Sequence, residues 1–235
     1  MPTRFYLQAS GSIKAPNNPA FDAGWEQTGQ AGRLPMTLKK LLKAPTALAN
    51  WTAITVPITT TQQILGNQFV SDQVFDPVRL DASVLFSMVL RGLENATTNN
   101  VFLAYVLRAF TADGLTSLGT LASSMTNAGT EFVATAATRI FGNGTTTIAL
   151  TATTISQPWR LVIDIGGHAQ APTVAGSYTY RTGSSAATDF ALTSALTTDL
   201  NPWIELSTNL NALVMNNYQS IKADSGISTS LGAVR

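Results

Sequence analysis

The chain has 235 residues, a formal net charge of +1 and only 11% charged residues, against roughly 25% in an average globular protein. So little charge argues against a nucleic-acid partner, because phosphate binding needs clustered Lys and Arg and the longest basic group here is Lys39, Lys40 and Lys43. The absence of cysteine excludes disulfides, thiolate metal sites and a Cys nucleophile. No apolar run of about 18 residues could span a bilayer. MPTRFYLQ holds no run resembling a signal peptide, so no membrane partner and synthesis in the cytoplasm are expected.

With so few charges, the polar surface must be mostly Thr, Ser, Asn and Gln. β-branched Thr suits exposed strand positions, where its hydroxyl can bond across strands. A near-neutral surface offers little repulsion against self-association, which favours a subunit of an assembly.

In chain order, Arg4 to Gln8 reads as a short aromatic strand, followed by a turn-rich segment punctuated by Pro16 and Pro19. Phe21 and Trp25 bracket Asp22 and Gly24, with Glu26 following, an aromatic pair placed to lid one end of a core. Strands are predicted from Arg33 to Leu42 and from Ala47 to Val56, with a helical turn before Pro45 as the alternative. Gln63 to Val74 is predicted as a strand broken near Gly66. Val84, Phe86, Met88 and Leu90 are apolar at period two, and Val101, Leu103, Tyr105 and Leu107 repeat the pattern after a polar connection.

Beyond Gly114, LTSLGTLASSM reads as strand and loop, and Thr130 to Phe141 as a strand. Asn143 and Gly144 form a type I′ hairpin signal before a Thr-rich strand, Ile148 to Ile155. Trp159, Leu161, Ile163 and Ile165 alternate with Arg160, Val162 and Asp164, a third core strand. The stretch to Asp189 is a long polar connection with one short strand at Ser177 to Arg181, and Trp203 to Leu206 closes the domain. The pattern implies an all-β fold, an antiparallel β-sandwich of jelly-roll type over residues 1–207. Residues 208–235, without a clean period, are expected to be an extended C-terminal arm or tail.

Candidate chemistry is sparse. Asp22 with Glu26, and Asp72 with Asp76, stand four apart in turn-rich sequence and suit turn bonding better than the paired carboxylates of a glycosidase. Asp164 is placed on a core strand, where Arg91, Arg108 and Arg160 could meet it as a structural ion-pair cluster. His168, the only histidine, is expected in a loop, and a metal site or triad would rest on it alone. The spacing of a calcium-binding EF-hand loop is absent. Asn50, Asn95 and Asn143 each open an Asn-x-Thr triplet, expected by chance in so Thr-rich a chain. Trp51, Tyr178 and Tyr180 are read as exposed, suited to a subunit interface or to stacking on sugar rings. No catalytic residue, cofactor or metal site is expected.

The combination RFYL, PAFDAGWEQT, QFVSD, WRLVIDIG, SAATD and NPWIELS resembles an uncharacterised group of tailed-bacteriophage virion proteins. The likeness touches most of the chain up to Ser207 and implies a virion component. The expected function is then a capsid decoration or cement protein that binds copies of itself and the major capsid protein. Trp51, Tyr178, Tyr180, Leu210, Leu213, Val214 and Tyr218 are the interface candidates. The alternative is a tail-fibre or baseplate module binding host surface glycans through Trp51, Tyr178 and Tyr180.

Overall fold

The computed structural model describes residues 1–26, 32–38, 50–56 (backbone), 61–96, 98–126, 131–141, 148–172, 176–183, 188–193, 195–198 and 200–213. The alternative helical turn before Pro45, the Asn143–Gly144 turn and the chain past Leu213 lie outside these residues. The described secondary structure is all β. The strands are β1 (Thr3–Leu7), β2 (Gly32–Thr37), β3 (Asn50–Val56), β4 (Gln62–Ser71), β5 (Val78–Leu80), β6 (Leu85–Glu94) and β7 (Val101–Thr111). Then come β8 (Ser117–Ser124), β9 (Ala137–Phe141), β10 (Ile148–Ala149), β11 (Thr153–Ile155), β12 (Trp159–Ala169), β13 (Gly176–Thr182) and β14 (Trp203–Leu206).

Their pairing is that of a jelly roll. One antiparallel sheet runs β1, β14, β6, β9, so the first strand lies beside the last. The other runs β4, β12, β7, β8, also antiparallel throughout. The chain visits the sheets alternately except at the β7–β8 hairpin, which is the double Greek key of a jelly-roll sandwich. We call these the terminal sheet and the central sheet. β2 joins them, antiparallel to β1 and parallel to β4. β13 extends the terminal sheet past β14 along residues Gly92–Glu94 of β6, and β3 pairs with β13.

The period-two faces meet between the sheets. Phe86 and Phe141 of the terminal sheet pack on Tyr105 of the central one, with ring centroids 4.8 and 4.7 Å apart. Phe5, Phe75 and Trp159 continue the layer. Each such side chain contributes about 1.5–3 kcal/mol by leaving water.

Several elements differ from the sequence expectation. β4 runs through Gly66 without a break, because Asn67 pairs Ile165 and Leu65 pairs Gly166, leaving Gly66 as the extra residue of a bulge. Of Thr130–Phe141, only Ala137–Phe141 is a strand, while Glu131 makes one bridge to Phe102. Ile148–Ile155 splits into two because β10 pairs with β6 and β11 with β5. His168 lies inside β12 rather than in a loop.

Residues 208–213 stay on the body. Leu210 is buried, its N–H donates to Thr3 Oγ1, and Leu213 N–H donates to Val74 O. Ala212 bridges Phe75. The body therefore extends at least to Leu213, beyond the expected boundary at Ser207.

Candidate functional site

Alternation along β12 turns Leu161, Ile163 and Ile165 inward and leaves Arg160, Val162 and Asp164 on the outer face of the central sheet. The ladder sets Asp164 beside Gln68 and Val106, and Val162 beside Arg108 and Val70. Across this face runs a strap, residues 13–26, that contains most of the PAFDAGWEQT motif. Asp164 is fully buried beneath it and accepts four hydrogen bonds. Oδ2 takes Arg108 Nη2 (2.7 Å), Asp22 N (2.8 Å) and Trp25 Nε1 (3.3 Å); Oδ1 takes Gln68 Nε2 (2.9 Å).

The same side chains hold the strap's carbonyls. Arg108 Nη2 and Gln68 Nε2 donate to Ala20 O, and Arg33 Nε and Nη2 donate to Pro19 O. Arg33 also donates to Gln68 Oε1 and lies 4.0 Å over the Phe21 ring. Burial pushes the Asp164 carboxyl above its ordinary value, and Arg108 and the surrounding N–H donors pull it back. Apolar contacts flank this polar centre. Trp25 packs with Leu65, Ala104 and Val106 on one side, and Ile13 and Ala15 pack on Val70, Phe110 and Val162 on the other. Gly166 is required here, because a Cβ would lie 2.2 Å from Ile64 O and 2.7 Å from the Trp25 ring.

Arg91 and Arg160 do not join Asp164, so the expected four-residue ion-pair cluster is a pair, Arg108 with Asp164. Four residues along a strand span about 13 Å, too far for the Arg160 side chain to share the Asp164 carboxylate while serving its own end of the face. Arg160 instead donates to Ala112 O (2.6 Å), Ser71 O (2.8 Å) and Asp72 O (3.0 Å), with Lys14 O at 3.4 Å. Arg91 lies on β6 and donates to Ala136 O. Each of these arginines clamps main-chain carbonyls of connecting segments.

The terminal sheet has its own covering strip, formed by residues 188–193, 195–198 and 200–201. Asp189 Oδ2 accepts from Arg4 Nη1 (3.0 Å) and Tyr6 Oη (2.8 Å), and Asn201 Nδ2 donates to Oδ1 at 3.3 Å. Arg4 also pairs with Glu205 and lies 3.9 Å over Trp203. Phe190 packs beneath the strip with Tyr6, Val89, Ile140 and Trp203.

Tyr178 and Tyr180 are not exposed. Both are 0% accessible, their rings stacked in the core. Tyr178 Oη donates to Ile64 O and Tyr180 Oη to Asn67 Oδ1. Glycines make room for them: a Cβ on Gly66 would lie 2.3 Å from the Tyr180 hydroxyl, and one on Gly167 would lie 3.0 Å from the Tyr178 ring. Neither tyrosine can stack on a sugar or face a second subunit. Leu210 is likewise a core residue and Leu213 is half-buried. The Trp51 backbone pairs with Arg181; its side chain, and Val214 and Tyr218, lie outside the described residues. His168 is nearly buried, with Nδ1 3.1 Å from Gln63 Nε2, and burial lowers its pKa.

The arrangement therefore clamps and seals. Gln68, Arg33, Arg4 and Asp189 were not singled out from the sequence, although all but Arg33 fall in a motif quoted there.

No protein-family model and no curated protein matches the chain. Among solved structures it is similar to that of the Gx strain of infectious bursal disease virus, at 12% identity and TM-score 0.27, covering 82% of this chain and 47% of that one. It is also similar to the VP2 subviral particle of infectious bursal disease virus, at 12% identity and TM-score 0.26, covering 77% and 51%. The chain spans about half the length of these solved chains.

Proposed function

We propose that this chain is a structural protein of a virus particle, and specifically a decoration or cement subunit of a tailed-bacteriophage shell. It would bind copies of itself and the major capsid protein, with no cofactor and no catalytic step. The observation that carries the reading is a jelly roll whose two outer sheet faces each carry a covering segment of its own chain and five of whose arginines bond its own carbonyls. Arg33, Arg91, Arg108, Arg139 and Arg160 donate to the protein's own carbonyls. With only 11% charged residues, the chain offers little repulsion to close contact with similar subunits. Such a subunit stabilises a shell by burying area across junctions, so that opening must break those contacts as well.

The glycan-binding alternative loses Tyr178 and Tyr180, which are core residues, and keeps only Trp51. Among the interface candidates, Trp51 and the chain past Leu213, with Val214 and Tyr218, remain. The test is cosedimentation of the full-length chain with phage shells lacking it, in parallel with host cells. Saturable binding to shells with greater heat resistance supports the cement role. Pelleting with cells alone overturns it in favour of adhesion, and pelleting with neither removes both readings.

A further inference from the structure

Glu94, the last residue of β6, is a carboxylate of a different kind from those that pin the coverings. It is 1% accessible, yet among the described residues the hydrogen bond it accepts is a single one, from Val101 N–H to Oε2 at 3.1 Å. Among the described residues no Lys or Arg pairs with it. We propose that Glu94 is a proton-binding site: on acidification it takes up a proton, and the folded chain gains stability by shedding a buried, uncompensated charge. This inference stands apart from the virion reading.

The neighbouring groups leave the carboxylate short of compensation. From the segment after β8 comes Glu131, a second negative charge, whose backbone bridges Phe102. From β9 comes Arg139, but its Nε donates to Glu131 O and its Nη1 to Thr138 O, so the guanidinium is directed at carbonyls. From β13 comes Tyr178, in register with Glu94, whose hydroxyl is donated away to Ile64 O. Burial pushes the Glu94 carboxyl above its ordinary value and Glu131 adds to this, while Val101 N–H and Arg139 act the other way.

The sign follows from linkage. A carboxyl whose folded pKa lies above its unfolded one makes the folded state bind the proton more tightly, so stability is gained as pH falls through the folded value. His168 acts oppositely, since its lowered pKa makes the unfolded chain bind a proton first. The wild-type profile is a sum of such effects, and the difference from Glu94→Gln isolates this one. The glutamine keeps an acceptor for Val101 N–H and carries no charge.

Thermal melting of the full-length chain and of Glu94→Gln, between about pH 8 and about pH 5, tests the proposal. The variant should melt higher than wild type at the upper pH, by about 2–4 °C, and the offset should shrink as the pH falls. A variant that melts at or below wild type at the upper pH, or an offset independent of pH, overturns it. Should the variant fail to fold, the carboxyl carbon of Glu94 is followed by NMR in the wild-type chain. Titration above the ordinary glutamate range supports the site, and titration within or below that range removes it.

Discussion

The two coverings of the sandwich are pinned by the same device at different depths. On the central sheet, Asp164 is fully buried and fixes the strap through a guanidinium, an indole, a side-chain amide and a backbone N–H. On the terminal sheet, Asp189 keeps its side chain 16% accessible and fixes its strip through Arg4, Tyr6 and Asn201. Water can replace part of what Asp189 supplies. It cannot reach Asp164. Depth, rather than the number of bonds, should therefore decide which covering fails when its anchor is removed.

The largest effect should come from Asp164→Ala, which strands the Arg108 charge and the Gln68 and Trp25 donors under the strap. Breaking one partner of a buried pair costs about 3–5 kcal/mol, read as a lower denaturant midpoint. Gly166→Ala attacks the same covering sterically, because its methyl meets Ile64 O and the Trp25 ring, and should cost about 1–3 kcal/mol. Asp189→Ala removes an anchor that water can partly replace, and about 1 kcal/mol is expected. If Asp189→Ala proved as costly as Asp164→Ala, the contrast between the coverings would collapse.

What the sequence disclosed follows from these physical differences. The inward strand faces were legible, because alternation depends on local chain geometry: β14 was predicted to the residue, and β6, β7 and β12 in type and place. The Asp164–Arg108 contact was half legible, since a charge among alternating apolar residues needs a partner but sequence does not say which arginine the register brings. Tyr178 and Tyr180 were misread because they alternate with Ser177, Thr179 and Arg181 in a Gly- and Ser-containing stretch. Their burial depends on Gly66 and Gly167, distant in sequence, opening slots for the rings. Alternation in YTYR, set beside the glycines of β4 and β12, was the available signal. The strap was legible only as a lid: Phe21 and Trp25 do cover, although they lie on the outer face of the central sheet beside Leu65, Ala104 and Val106 rather than over one end of the core. Its course was illegible, because a segment without secondary structure has no period; Asp22, Gln68 and Asp164 in the quoted motifs marked where it attaches, and Asp189 marked the strip on the terminal sheet.

The smallest effect is absent at neutral pH and sharpens the comparison from the alkaline side. Tyr6, which donates to Asp189, has its phenol pushed up to about 12, first by burial and then by the Asp189 hydrogen bond. A folded pKa above the unfolded one means that the contribution is fully present below the ordinary tyrosine value and is lost as pH rises towards the folded one. Tyr105, Tyr178 and Tyr180 are shifted in the same direction by burial, so Tyr6→Phe should flatten the alkaline loss only in part. Ionised Tyr6 also places a phenolate against the Asp189 carboxylate, so the terminal strip should loosen before the central strap. Hydrogen-exchange protection reports this directly at Phe190 N–H, bonded to Asn201 O, and at Trp25 N–H, bonded to Asp22 O. Protection at Phe190 should fall first between about pH 10 and about pH 12; simultaneous loss at both would mean that the coverings open as one unit.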